Sequence, residues 1–274
     1  SILNGIYNRI NFMRIIVCVK QVIDTAARIE LKDQKLDGTA LARVLNPYDE
    51  FAIEEALRIR ESKHDTEIVL VSLGAECFRD SLRAGLAMGA DRAVHLMDPL
   101  FNNIDSLTTA YLLSQAAKLL GFDIIFCGRQ AVDDDMAQIG PALAVYLEIP
   151  CITVVTQLDF LEDWDVAVAV RQIEGGTETI ESSLPALFTC QKGLNQPRLP
   201  SLKGIMAAKK KEIETFDADK LGFSLKEKPS SNETLIHTGL SLPDRRGKGK
   251  IIGGSPNEVA TQLVKILREQ EKVV

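Results

Sequence analysis

FDIIFCGRQAVDDDMAQIGPALAVYL, residues 122–147, carries an apolar strand straight into a glycine, an acidic turn and then a helix. In an open α/β sheet, ligands settle beyond the carboxyl ends of the strands, where free N–H groups of the following loop and helix hold phosphate or ribose. Gly128 suits a sharp turn and a close backbone approach, and one of Asp133, Asp134 and Asp135 is available to cap the helix. The other two need a different task. Carboxylates set directly on a phosphate would repel it, so the consistent arrangement puts backbone N–H groups on phosphate and carboxylates on sugar hydroxyls. Pro141 leaves two helix starts open, a late one near Gly140 or an early one near Met136 followed by a bend. The segment reads as a nucleotide site at a strand end, with an ordinary capped βα turn as the alternative.

Working outward, residues 14–150 alternate short apolar runs with amphipathic stretches: RIIVCV, Glu50–Glu61, EIVLVSLG, Arg79–Met88, RAVHLM, Ser106–Leu120, DIIFCG and Ala142–Leu147. Near-continuous apolar strands joined by helices predict an α/β fold, a mainly parallel sheet with helices on both faces. Glu67–Leu73 and Asp123–Cys127 read as its most central strands, and Ala84–Leu96 as a helix ending at Gly89 and followed directly by a strand. Past Pro150 the pattern changes. Val166–Val170 and Thr179–Glu181 flank Gly175–Gly176, and Leu187–Thr189 follows Pro185; these read as hairpin strands extending the sheet. Residues 192–202, with two prolines, and 226–250, rich in Ser, Pro, Gly and charge, read as extended loop or arm. Ser255-Pro256-Asn257-Glu258 is a capping box opening a helix whose apolar face is Val259, Leu263, Ile266 and Leu267, a face suited to docking on another chain. The expected division is residues 1–12 outside the fold, as an upstream extension or remnant, 13–224 as one α/β domain, and 225–274 as a C-terminal arm and helix.

The 274 residues are 46% hydrophobic and 26% charged, enough for a sizeable core, and the formal net charge of -6 argues against a nucleic-acid or anionic-membrane binder. Five widely spaced cysteines with no C-x-x-C pair read as buried thiols in a reducing compartment. No apolar run reaches bilayer length and the first twelve residues lack signal-peptide features, so a cytoplasmic location is expected.

Asn46-Pro47-Tyr48-Asp49 precedes the helix bearing Glu54 and Glu55 and reads either as an Asx-type turn and helix start or as a side-chain amide held near a ligand. Val17, Cys18 and Val19 end the first strand, so their backbone faces the same carboxyl edge, and Lys20 is either a phosphate contact or solvated. His64, His95 and His237 have no partner at metal-ligand spacing, and no G-x-S-x-G nucleophile is present, so neither a metal site nor hydrolytic chemistry is expected. Lys209-Lys210-Lys211 reads as a solvated helix end or a docking patch, and Leu194, in GLNQPRLPSL, as an anchor in its own core or an apolar knob for a partner.

Taken together, RIIVCVKQVID (14–24), NPYDEFAIEEAL (46–57), VSLG (71–74), LAMGADRAVHL (86–96), GRQAVDDDMAQIGP (128–141), VRQIEGG (170–176), LPAL (184–187) and LNQPRLPSLKGIMAAKKK (194–211) resemble the β subunit of electron transfer flavoproteins. The resemblance covers nearly the whole chain from Met13. It implies the adenine-nucleotide α-hydrolase type of α/β fold and a heterodimer with an α subunit whose mobile domain carries its own FAD and receives the C-terminal arm. It places a nucleotide at Cys18, Asn46, Pro47, Tyr48, Asp49, Leu73, Gly128, Arg129, Gln130, Ala131, Val132, Asp133, Asp134, Asp135, Met136, Ala137, Gln138 and Ile139. Family members hold either structural AMP there or, in the electron-bifurcating type, a second FAD reduced by NADH. Ala137–Pro141, AQIGP, and the tail Gly249–Leu267 resemble the FAD-holding type; AMP-type relatives tend to carry Asn-Gln-Thr-Gly-Gln, and Asp134 departs from the Gly frequent in the bifurcating group. Electrons would pass from NADH to the α-subunit FAD and a flavin-dependent dehydrogenase, acyl-CoA or similar, and to ferredoxin or flavodoxin. No side chain need act as acid or base, and no activity is expected of the chain alone. Leu194 matches the family's recognition-loop leucine, with Pro197 and Pro200 stiffening the loop and Lys209 and Lys210 beside it. From a different class, a universal-stress-type nucleotide-binding or ATP-hydrolysing domain shares the layout around Gly128 but leaves residues 194–211 and the arm unexplained.

Overall fold

The computed structural model describes residues 12–32, 35–36, 41–63, 65–224, 239–243, 249 and 251–273. Expectations for residues 1–11, His64, His237 and most of 226–250 lie outside the described residues. Two compact units emerge, the larger within residues 1–29 and 38–238 and the smaller within 30–37 and 239–274.

The larger unit is built on a nine-stranded sheet. Its strands are β1 (Met13–Cys18), β6 (Thr66–Leu73), β7 (Arg92–Leu96), β8 (Ile124–Gly128), β9 (Cys151–Phe160), β10 (Val166–Ile173), β11 (Gly176–Ser183), β12 (Ala186–Cys190) and β13 (Ile213–Phe216), with β2 (Gln21–Ile23) and β5 (Arg43–Leu45) forming a separate pair. The helices are α1 (Pro47–Ser62), α2 (Arg79–Met88), α3 (Ser106–Leu120), α4 (Ile139–Leu147) and α5 (Leu202–Lys210). The order across the sheet is β11-β10-β9-β12-β8-β1-β6-β7-β13. From β9 to β13 every neighbouring pair is parallel, and β10 and β11 continue the β9 edge as an antiparallel meander.

Successive residues of a strand face opposite sides of the sheet, and the buried residues divide accordingly. Ile15, Val17, Ile68, Leu70, Phe126 and Phe188 share one core with Ile53 and Leu57 of α1 and Leu82 and Leu86 of α2. Ile16, Val69, Val71, Ile125 and Leu187 share the other with Leu112 and Leu113 of α3 and Leu143 of α4. Both faces are thus covered, which is why these strands read as unbroken apolar runs. Helix α5 lies on α2 at the closest approach two backbones allow: a Cβ added to Gly204 would stand 2.4 Å from the Ala87 carbonyl oxygen.

The expected βα series and the 166–183 hairpin are present, and α4 takes the late start, with Pro141 in its first turn. Two strand expectations need correction. Residues 186–190 do not extend the hairpin edge: β12 lies inside the parallel region, between β8 and β9. The ten-residue β9 was not anticipated at all, because its inner half is followed by the alternating T-Q-L-D-F run and its parallel partner is 35 residues later in sequence, as the Val155↔Cys190 pairing shows.

The smaller unit contains the two-residue strands β3 (Leu31–Lys32) and β4 (Lys35–Leu36) and the helix α6 (Pro256–Lys265), which continues as a π-turn over Ile266–Gln270. The capping box is formed: Glu258 accepts from Ser255 N at 2.8 Å and Oγ at 2.7 Å. Among the described residues no helix is long and apolar enough to cross a membrane.

Candidate functional site

Strands β1 and β8 are neighbours in register, Cys18 beside Cys127, so the chain leaves the sheet at two adjacent points, Lys20 and Gly128. The start of α1 ties these exits together. Asn46 and Asp49 are only 1% and 4% exposed, and their side chains are fully engaged. Asp49 Oδ2 accepts from Lys20 N at 2.7 Å; Oδ1 accepts from Asn46 Nδ2 at 2.8 Å and Gly128 N at 3.2 Å. Asn46 Nδ2 also donates to Gln130 O at 2.9 Å, and its Oδ1 accepts from Val132 N at 3.2 Å. Burial pushes the Asp49 carboxyl up to about 7, in spite of the Lys20, Asn46 and Gly128 donors that pull it down.

Above this clasp lies a cleft of about 580 Å³ over the carboxyl ends of β1, β6 and β8. That volume falls within the range of small-molecule and cofactor sites, roughly 300–1,000 Å³. Cys18, Val71, Leu73, Ile104, Leu113 and Cys127 give it an apolar floor, and Arg129, Gln130, Asp134, Gln138, Asn103, Asp105, Ser106 and Thr109 supply polar groups around it. Gln138, Ile139 and Gly140, which open α4, all line the cleft, and no side chain caps that helix. An uncapped helix start aimed at a cavity is a ready anion seat. Two left-handed residues, Asp135 at φ 52° and Ala137 at φ 53°, bend the acidic turn into this position at a cost of about 1–2 kcal/mol each.

The acidic turn itself departs from expectation. None of the three aspartates caps α4. Asp133 and Asp134 take the Lys20 ammonium at 2.8 and 3.1 Å, and Asp135 accepts from Gln130 Nε2 at 2.6 Å. Burial works against the Lys20 charge, but the two carboxylates hold its pKa above the ordinary lysine value. Lys20 is therefore not a free phosphate contact: its ammonium, partly exposed, is paired with the acidic turn. Gly128, which lines the cleft, also meets a demand beyond the expected one: a Cβ there would stand 2.3 Å from Asp49 Oδ1 and 2.9 Å from the Tyr48 carbonyl carbon, so the glycine makes room for the α1 turn.

Of the expected nucleotide residues, Cys18, Asn46, Asp49, Leu73, Gly128, Arg129, Gln130, Ala131, Asp134, Met136, Ala137, Gln138 and Ile139 line the cleft; Pro47, Tyr48, Val132, Asp133 and Asp135 do not. The residues missed are Val71, Cys127 and Gly140, which adjoin expected positions, and Asn103, Ile104, Asp105, Ser106, Thr109 and Leu113, from the loop after β7 and the first turns of α3. The one available signal was the capping of that helix by Asp105, which accepts from Thr108 N at 2.7 Å.

The expected partner residues lie elsewhere, and none lines the cleft. Leu194 is 7% exposed and part of the α1-side core, so it is an internal anchor and not a projecting knob. The loop around it is fastened to α1. Asn195 Nδ2 donates to Glu55 at 2.8 Å and to Phe51 O at 2.9 Å, while Arg198 binds Glu54 through Nε and Nη2, both at 2.8 Å, and Glu61 at 2.6 Å. The apolar side chains that do project are Leu199, 92% exposed, and Leu202, 76%, next to Met206, Lys203 and Lys210 on α5.

A doubly covered parallel sheet with a polar-rimmed cleft at its carboxyl edge defines an α/β protein of the nucleotide-site class. Comparison with known proteins narrows this. Residues 36–221 match the model of the electron transfer flavoprotein domain. The chain is 38% identical to an electron transfer flavoprotein subunit beta of Bacillus subtilis over 96% of this chain and 100% of that one. It is 40% identical to the mitochondrial electron transfer flavoprotein subunit beta of Arabidopsis thaliana, over 96% and 100% of the two chains, and 38% identical to the caffeyl-CoA reductase-Etf complex subunit CarD of Acetobacterium woodii, over 94% and 99%. The chain belongs to the electron transfer flavoprotein β-subunit family. This sets aside the universal-stress-type reading.

Proposed function

We propose that this chain is the β subunit of a cytoplasmic, electron-bifurcating heterodimer: it holds FAD in the cleft, takes electrons from NADH, and passes them to the α-subunit FAD and a dehydrogenase and to ferredoxin or flavodoxin. The observation that carries the reading is the cleft itself, with the uncapped start of α4 on its lining and the AQIGP sequence at that start. The similarity to a subunit of a caffeyl-CoA reductase-Etf complex supports a reductase or dehydrogenase partner. A bound FAD supplies the hydride and single-electron chemistry. The chain's own residues bind and orient: N–H groups at Gln138–Gly140 for phosphate, Arg129 and Gln138 side chains beside them, and the Cys18, Leu73 and Cys127 floor to exclude water. Asn103 lies on the cleft wall where hydroxyl or ring contacts would fall. Leu199, Leu202 and Met206 form the dehydrogenase contact in this reading, with Lys203 and Lys210 beside them and Pro197 stiffening the loop. The C-terminal arm and α6 dock on the α subunit.

The second reading, AMP in the same cleft of a simple carrier, predicts one FAD per heterodimer. Co-purification with the α subunit, denaturation and chromatographic identification of released nucleotides separates the two. Two FAD per heterodimer is the expected result; one FAD with one AMP moves the chain to the carrier type, and no flavin at all overturns the function.

A further inference from the structure

We propose that Thr189, held by a bulge in β9, is a positioning residue that sets where the start of α4 stands, and so where the phosphate of a bound nucleotide is received. The inference rests on the nucleotide reading of the cleft.

The bulge is the first argument. Phe188 pairs with Ile152 and Cys190 with Val155, so Thr189 alone faces both Thr153 and Val154. Val154 takes up the extra residue at φ 61°, a left-handed conformation that a β-branched side chain seldom adopts. Two side chains hold it there. Val154 N donates to Thr189 Oγ1 at 2.9 Å, and Arg171 on β10 donates from Nε to Thr153 O at 3.0 Å and from Nη2 to Thr153 Oγ1 at 2.9 Å. Bulges re-aim side chains, and a strained one persists only where its surroundings determine it.

What the bulge aims is the second argument. Phe188 and Cys190 belong to the α1-side core and Leu187 to the α4-side core, so by alternation the buried Thr189 faces α4. With Oγ1 engaged by Val154 N, its methyl has a fixed direction, and it lies against Gly140 in the first turn of α4. A Cβ added to Gly140 would stand 2.6 Å from Thr189 Cγ2, with Leu187 Cδ2 at 3.5 Å and Cys127 Cβ at 3.8 Å. The helix start thus rests directly on the threonine methyl, which requires a residue without a side chain at position 140.

The place of Gly140 is the third. It lines the cleft beside Gln138 and Ile139, and no side chain caps the helix there. N–H groups at this end receive phosphate in the nucleotide reading, which demands that they stand within hydrogen-bond reach of its oxygens. Thr189 itself does not line the cleft, so its influence passes through Gly140.

The test is a double-mutant cycle on AMP affinity in the heterodimer stripped of its β-subunit nucleotide. Thr189→Ser keeps the hydroxyl and removes the methyl; Gly140→Ala adds one. Thr189→Ser alone should weaken AMP about threefold and Gly140→Ala alone roughly tenfold or more. The double variant should bind more tightly than Gly140→Ala, because the alanine methyl takes the space that serine vacates. Adenosine, which lacks the phosphate, should lose less than about twofold in Thr189→Ser, whereas general damage to the fold would weaken both ligands alike. Additive losses in the cycle, or equal losses for AMP and adenosine in Thr189→Ser, overturn the proposal; if Gly140→Ala does not fold, the comparison of the two ligands decides alone. Failure of both AMP and FAD to bind the parent removes the cleft reading and this proposal with it, whereas AMP binding with additive losses removes the proposal only.

Discussion

Gly128→Ala is expected to lower the unfolding midpoint of the chain by roughly 5–10 °C, about 3 kcal/mol, and to empty the cleft of nucleotide. The added methyl would stand 2.3 Å from Asp49 Oδ1, 2.8 Å from Tyr48 Cβ and 2.9 Å from the Tyr48 carbonyl carbon. A flexible side-chain tip swings aside cheaply, but the last of these atoms is backbone at the first turn of α1, whose Ile53 and Leu57 are fully buried. Either the helix start or the end of β8 moves. In both cases the Gly128 N to Asp49 bond is broken, and the two chain exits that bound the cleft lose their common fastening. Differential scanning fluorimetry and nucleotide content, measured on the same preparation, check this. An unchanged midpoint with full nucleotide would show that the α1 turn is free to give way.

The second large effect concerns Leu194. Truncation of a leucine that is 7% exposed within a packed core costs about 3–4 kcal/mol, through lost burial and the cavity left behind, so Leu194→Ala should unfold at a markedly lower denaturant concentration. Leu199→Ala, at a position 92% exposed, should leave stability within about 0.5 kcal/mol while weakening electron transfer to the proposed dehydrogenase partner. Urea titrations of the two variants beside the parent discriminate. If Leu194→Ala unfolds with the parent and only transfer suffers, Leu194 projects to the partner after all.

These two residues also mark where the sequence could be read and where it could not. The long strands and helices of the βα series from Met13 to Leu147 were legible because each buried strand is a short apolar run and the helices are periodic, with a stop signal such as Gly89 after α2, whereas the short strands β2 to β5 between residues 21 and 45 carry no such run. Those signals are local. The placement of β12 between β8 and β9 depends on pairing across long stretches of chain, and no local feature of Ala186–Cys190 distinguishes an interior parallel strand from a hairpin edge. At the site, the acidic turn was found through its Gly and Asp residues, but the partners of those aspartates were not, since Lys20 is more than a hundred residues away. Leu194 sits among prolines and polar residues, a composition typical of exposed loops. What buries it is the pairing of Asn195 and Arg198 with Glu55 and Glu54 of α1, a contact that exists only once the chain has folded.

The fastening of residues 194–198 to α1 has a kinetic consequence. Leu199 and Leu202 are carried by a stretch of backbone ordered during folding, with Arg198 held on two carboxylates before it and Gly204 seated on Ala87 behind it. A chain that meets these leucines need not freeze a floppy segment, so little conformational freedom is lost on encounter. The apolar area they offer is small, which limits how long such an encounter lasts. If these leucines are the proposed dehydrogenase contact, quick arrival with short residence is what repeated delivery requires, because each delivery must end before the next can begin.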